Sequence, residues 1–147
     1  MSRSNLEEVK KVLQEESELS FVLQDSEKKL YKRTEKGIAP MMVLLETGEK
    51  PFAGGVIADK VVGKAAAFLA VYGGATALYA GIISTPALEV LRSFGVDCEY
   101  DKEVPFIENR TKTGGCPMEK AVWEVTSAEE AYDILKIILD SYQRQAP

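Results

Sequence analysis

The sequence contains no histidine. That absence closes Ser-His-Asp and Cys-His activation of a nucleophile, and with them every His-ligated zinc site. Only two cysteines are present, Cys98 and Cys116, in neither Cys-x-x-Cys nor metal-knuckle spacing. Two dispersed thiols do not complete a tetrahedral zinc site, so no metal and no cofactor is expected. Nothing after Met1 resembles a signal peptide, and the expectation is a cytoplasmic chain with reduced thiols. No run of about 18 uncharged apolar residues exists, which argues against a membrane partner. Basic charge is in deficit too: 18 Lys and Arg against 23 Asp and Glu give a net charge of −5. A nucleic-acid groove needs a basic stripe, so nucleic acid is not an expected partner. Any chemistry must use Lys, Asp, Glu, Cys or Tyr, and whether the chain is an enzyme stays open.

What is present fits one globular domain over residues 1–147, with 46% hydrophobic and 28% charged residues. Ser4-Asn5-Leu6-Glu7 reads as a capping box before a helix from about Asn5 to Glu16, with Leu6, Val9, Val12 and Leu13 as its apolar stripe. Ser20–Leu23 and Lys29–Arg33 read as strands joined by the polar turn Asp25–Lys28, and Gly37–Glu46 as a short helix with Pro40 in its first turn. Gly54–Ala58 predicts a buried strand that runs at Asp59 into a helix from Lys60 to Tyr72, ended by Gly73-Gly74. Leu78–Ile83 predicts another strand, Thr85-Pro86 opens a helix closed by Phe94-Gly95, and Val96–Tyr100 predicts a fifth strand. Residues 101–115 read as irregular, Cys116-Pro117 as the start of a helix to about Trp123, and Ser127–Glu130 as the capping box of a last helix. Helices alternating with apolar strands imply an α/β fold: a three-layer α-β-α sandwich around a mixed, mostly parallel five-stranded sheet.

Ala58–Ala66, Val71–Gly74, Ser84–Glu89 and Cys116–Val122 together resemble a small bacterial family of unknown function with a cytidine-deaminase-like fold. The likeness spans roughly Ser20 to Leu135. What it implies transfers position by position. Deaminases of that fold carry His-x-Glu or Cys-x-Glu at the helix after the first two strands, where this chain has Gly37-Ile38-Ala39-Pro40. They carry Pro-Cys-x-x-Cys after the third strand, where this chain has Ala58–Val62. Both halves of the zinc site are missing, so the resemblance implies the fold without metal-activated deamination.

The candidate ligand-binding residues are Asp59, Lys60, Lys64, Ser84, Cys116 and Glu119. A helix starting after Asp59 would put Lys60 at its positive end and Lys64 one turn on, among Val61, Val62, Ala65, Ala66 and Phe68. A lysine buried there needs an anionic partner, either an internal carboxylate or a ligand phosphate at the helix N-terminus. Thr113–Glu119 places Cys116 before a helix that begins with proline, and Glu119 as a carboxylate for acid–base work or for pairing with Lys64. The plain readings stand beside these: Cys116 as a small apolar residue, Glu119 as a cap, Ser84 and Thr85 as helix caps, Asn109-Arg110 as solvated loop, and Cys98 and Trp123 as packing. The functional expectation is a small anionic, nucleotide-like ligand in the cleft where deaminases hold zinc. The alternatives are a non-enzymatic structural or regulatory homo-oligomer with internally paired lysines and carboxylates, and an enzyme using Lys64 as base or Schiff-base nucleophile, and the resemblance implies a homo-oligomer in each case.

Overall fold

A computed structural model describes residues 2–108 and 114–145, and side chains over 6–108 and 114–141. Among the described residues the elements are α1 (Ser2–Glu15), β1 (Phe21–Gln24), β2 (Leu30–Arg33), α2 (Ala39–Leu45), β3 (Val56–Val62), α3 (Lys64–Gly73), β4 (Ala77–Ser84), α4 (Thr85–Ser93), β5 (Asp97–Val104), α5 (Pro117–Ala121) and α6 (Ala128–Gln145). The order is the one expected from the alternation of apolar strands with helices. No helix among the described residues is long and apolar enough to cross a membrane.

The five strands form one sheet in the order β2-β1-β3-β4-β5. β1 runs antiparallel to both neighbours, whereas β3, β4 and β5 are mutually parallel. Four strands therefore point one way and β1 alone is reversed. Two separate cores lie on the two faces. On one, Leu6, Val9 and Leu13 of α1 pack on Val22, Val56, Ala58, Ala77 and Tyr79. On the other, α2, α3, α4 and α6 cover Phe21, Leu23, Ile57, Leu78 and Ala80. Right-handed crossovers explain this asymmetry, since β3-α3-β4 and β4-α4-β5 step across the sheet in one direction and so put both helices on one face. α1 is also held by polar contacts: Lys10 Nζ donates to Glu99 Oε2 at 2.7 Å and sits 4.9 Å from the centre of the Tyr79 ring.

Strict alternation fails near the C-terminal ends of β3 and β4. Ile57 and Val62, an odd number apart, both enter the helical-layer core, as do Leu78 and Ile83. Pairing runs through Asp59–Ala80, skips Lys60 and Gly81, and resumes at Val61–Ile82. Val61 and Ile82 are left 45% and 37% exposed. The kink has a local cause in Asp59, whose Oδ1 accepts the amide of Val61 at 3.3 Å, a side-chain-to-backbone bond that competes with the ladder. It also needs Gly81, where a Cβ would stand 2.7 Å from the Lys60 carbonyl oxygen.

Several expected boundaries move. The strand read as Gly54–Ala58 is β3, Val56–Val62, so α3 starts at Lys64 and not at Lys60. Asp59 is therefore not a helix cap and Lys60 is not in a first helical turn. β5 extends to Val104 through residues expected to be irregular, and α5 ends at Ala121, short of Trp123. α1 begins at Ser2, which places Ser4 inside the helix and not before it. The side chain of Ser4 and residues Asn109, Arg110 and Thr113 lie outside the described set. At the last helix the expected cap is present: the Glu130 amide donates to Ser127 Oγ at 3.3 Å.

Candidate functional site

The ends of β3 and β4 deliver two helix N-termini side by side, those of α3 and α4. α3 has Gly63 at its N-cap, with no side chain of its own to receive the exposed amides. That role passes to Glu119, far along the chain on α5. Its Oε2 accepts the Lys64 amide at 2.7 Å and the Ser84 hydroxyl at 2.5 Å, and its Oε1 accepts the Ile107 amide at 2.7 Å. The side chain is only 2% exposed. A buried carboxylate with three donors at the positive end of a helix is stabilised by hydrogen bonding and by the macrodipole together. Gly63 makes the approach possible, since a Cβ there would meet Ile107 Cγ1 at 3.0 Å and Glu119 Oε2 at 3.1 Å.

Ser84 completes the arrangement. It is fully buried and is the N-cap of α4, accepting the Ala87 amide at 3.2 Å while its proton goes to Glu119. Thr85, the expected cap, is the first residue of the helix, and its hydroxyl donates to Glu103 Oε2 at 2.7 Å. One carboxylate thus ties α3, α4, α5 and the segment around Ile107 into a single knot. Cys116 is the N-cap of α5, half-buried, and its amide donates to the Ile107 carbonyl at 2.7 Å.

The two lysines leave the constellation expected of them. Lys60 is exposed, and its ammonium donates to the Ser17 carbonyl at 2.7 Å, beyond the end of α1. Lys64 is the first residue of α3, half-buried and not enclosed among valines and alanines. Its Nζ donates to the Trp123 carbonyl at 2.5 Å and lies 5.7 Å from the Phe68 ring centre. The partner of Glu119 is the Lys64 amide, not its ammonium. The Lys64 ammonium is thus taken up by a backbone carbonyl, away from the Glu119 carboxylate expected as its partner.

Asp59 stands apart as well. It pairs in register with Phe21 and Ala80, both in the helical-layer core, and is 7% exposed. Burial pushes its carboxyl up to about 8, against the pull of the Val61 and Lys60 amides. Cys98 is likewise pushed up by burial, to about 11, which fits a packing role and not a reactive thiol. Of the six candidates the structure thus joins Ser84, Glu119, Cys116 and the backbone of Lys64, and separates Asp59 and Lys60. The residues missed from sequence are Gly63, Gly81, Ile107 and Trp123, which act through backbone atoms or through the lack of a side chain. Among the described residues no three Cys, Asp or Glu side chains converge as metal ligands would.

The profile of a domain of unknown function, DUF1893, matches residues 8–139. The chain belongs to the DUF1893 family. Its fold is similar to the crystal structure of a DUF1893 family protein from Thermotoga maritima, with a TM-score of 0.81, 27% identity, and coverage of 96% of this chain and 92% of that one. No curated protein matches it. The match agrees with the expectation of a family of unknown function, and the knot around Glu119 lies within the matched span.

Proposed function

We propose that this DUF1893 chain works without catalysing a reaction, as a structural or regulatory protein that assembles with copies of itself on a cytidine-deaminase-like fold whose site is closed from within. The carrying observation is Glu119: its buried carboxylate occupies the α3 N-terminus with three donors. In deaminases of this fold the zinc-bound cysteines open the corresponding helix. With α3 starting at Lys64, the corresponding segment here is Val62–Ala66, which offers no thiol, imidazole or carboxylate. The strand order, with β1 alone reversed, supports the deaminase-like reading. Self-assembly is supported by apolar surface, with Val61 and Ile82 adjacent and exposed on the sheet and Ile137 68% exposed on α6.

A small anionic, nucleotide-like ligand at the same helix end is the competing reading, and it requires Glu119 to leave all three donors. The test is thermal unfolding with millimolar nucleoside mono-, di- and triphosphates and inorganic phosphate, alongside a light-scattering mass. The expected outcome is a shift below about 1 °C for every compound, since nothing binds the folded state selectively, and a mass that is a multiple of one chain. A saturable stabilisation of about 5 °C or more by any nucleotide, or a monomeric mass, would refute the proposal.

A further inference from the structure

Neither the closed site nor assembly uses Asp59. Its carboxyl faces the helical layer between Phe21 of β1 and Ala80 of β4, neither of which titrates. Among the described residues no buried side chain of α2, α3, α4 or α6 is polar or charged, and the other buried polar groups are Gln24, Ser84 and Glu119. The ionisable groups nearest in the chain and at the adjoining helix end are engaged elsewhere: Lys60 with the Ser17 carbonyl, Lys64 with the Trp123 carbonyl, and Glu119 with Lys64, Ser84 and Ile107. Among the described residues only backbone amides answer Asp59, and the bond to Val61 is the one that bends β3. Three residues beyond the bend comes Lys64, whose amide Glu119 holds.

We infer that Asp59 is a protonation-controlled latch on the C-terminal end of the sheet: as the neutral acid it holds the kink of β3 and β4 closed beneath the helical layer, and as the carboxylate it releases it. An ionised carboxylate facing an apolar core without a cation is too costly to persist, so water must reach it or the side chain must swing out. The outward swing breaks the Asp59–Val61 bond and frees Lys60 to Gly63. The α3 N-terminus then loses the chain segment that presents its first amide to Glu119. Opening exposes the helix end that Glu119 otherwise closes, which makes that closure responsive to pH.

The direction follows from the raised carboxyl. Between its ordinary value of 3.8 and about 8, the folded chain keeps a proton that the unfolded chain has lost. Stability therefore falls as pH rises through this window and levels off above it. The experiment is amide hydrogen exchange at residues 60–64, corrected for intrinsic rates, with thermal unfolding, at about pH 6 and about pH 9. It is run on the wild type and on Asp59→Asn, a neutral isostere that keeps the acceptor oxygen.

The wild type should lose protection at 60–64 by about tenfold or more while Leu78–Ala80 stay protected, and its Tm should fall by about 5–10 °C. Asp59→Asn should be protected at both pH values, with a Tm that varies much less. Unchanged wild-type exchange, a loss that persists in Asp59→Asn, or a loss spread evenly over the sheet would overturn the inference. So would failure of Asp59→Asn to fold, because the neutral form is the one assigned to the closed state. Ligand binding is not part of the readout, so this inference and the proposed function fail independently.

Discussion

Replacing Glu119 by alanine should destabilise the fold by about 3–5 kcal/mol, because it strands the Lys64 amide, the Ile107 amide and the Ser84 hydroxyl in one step. Water can reach some of these donors once the side chain is gone, which sets the lower end of the range. Glu119→Gln is the finer probe. Its single carbonyl oxygen can serve either the Oε2 pair or the Ile107 amide, and its NH2 must then face a donor at the other place. The loss should be smaller than for alanine, about 1–3 kcal/mol. Ser84→Ala should cost about 1–2 kcal/mol, since it removes the α4 cap and one of the three donors. Urea unfolding of the three variants measures the series. A loss under about 1 kcal/mol for Glu119→Ala would mean that the carboxylate is not the tie between α3, α4 and α5.

The second large effect belongs to Gly81. A Cβ there would lie 2.7 Å from the Lys60 carbonyl oxygen, and that atom is backbone of the neighbouring strand, so it cannot step aside as a side-chain end could. Gly81→Ala should cost about 3 kcal/mol or more, by forcing β3 and β4 apart where they exchange faces. Gly48 provides the control: at φ +79, with nothing within 4 Å of its built Cβ, Gly48→Ala carries only backbone strain, about 1–2 kcal/mol. Thermal unfolding of both variants separates steric exclusion from conformational preference. Equal losses would show that the close approach of Lys60 to Gly81 is not a constraint.

The residues that mislead a reading of the sequence lie just before the site, on the end of β3. Asp59 followed by Lys60 and an apolar stretch imitates a helix cap, yet Val61-Val62 is a β-branched pair and Gly63 is a true break before Lys64. That pair was the available signal for a longer strand. The kink was not legible, because it comes from a bond within three residues and from a glycine on the neighbouring strand. The far end of β5 is hidden for a different reason: Asp101, Lys102 and Glu103 are exposed on an edge strand, where charge is tolerated and no apolar alternation is left to read. The order of elements was legible throughout, because each strand and helix of the parallel half carries its own apolar period and its own break at Gly74 or Gly95. Glu119 and Ser84 were legible as candidates by position at helix starts. Their partnership was not, since it joins residues 35 apart through a contact made only in the folded sheet. The assignment of Lys64 as a buried cation failed with the helix boundary: moved to the first turn of α3, the same residue has solvent and the Trp123 carbonyl within reach.

The most direct test of the closed site is the electron density around the α3 N-terminus in crystals of the protein taken from cells without added ligand. The expected result is Glu119 turned inward, its carboxylate within hydrogen-bond distance of the Lys64 amide, the Ser84 hydroxyl and the Ile107 amide, as it lies here. A phosphate or nucleotide seated on the Lys64 amide, with Glu119 swung out to solvent, would contradict it.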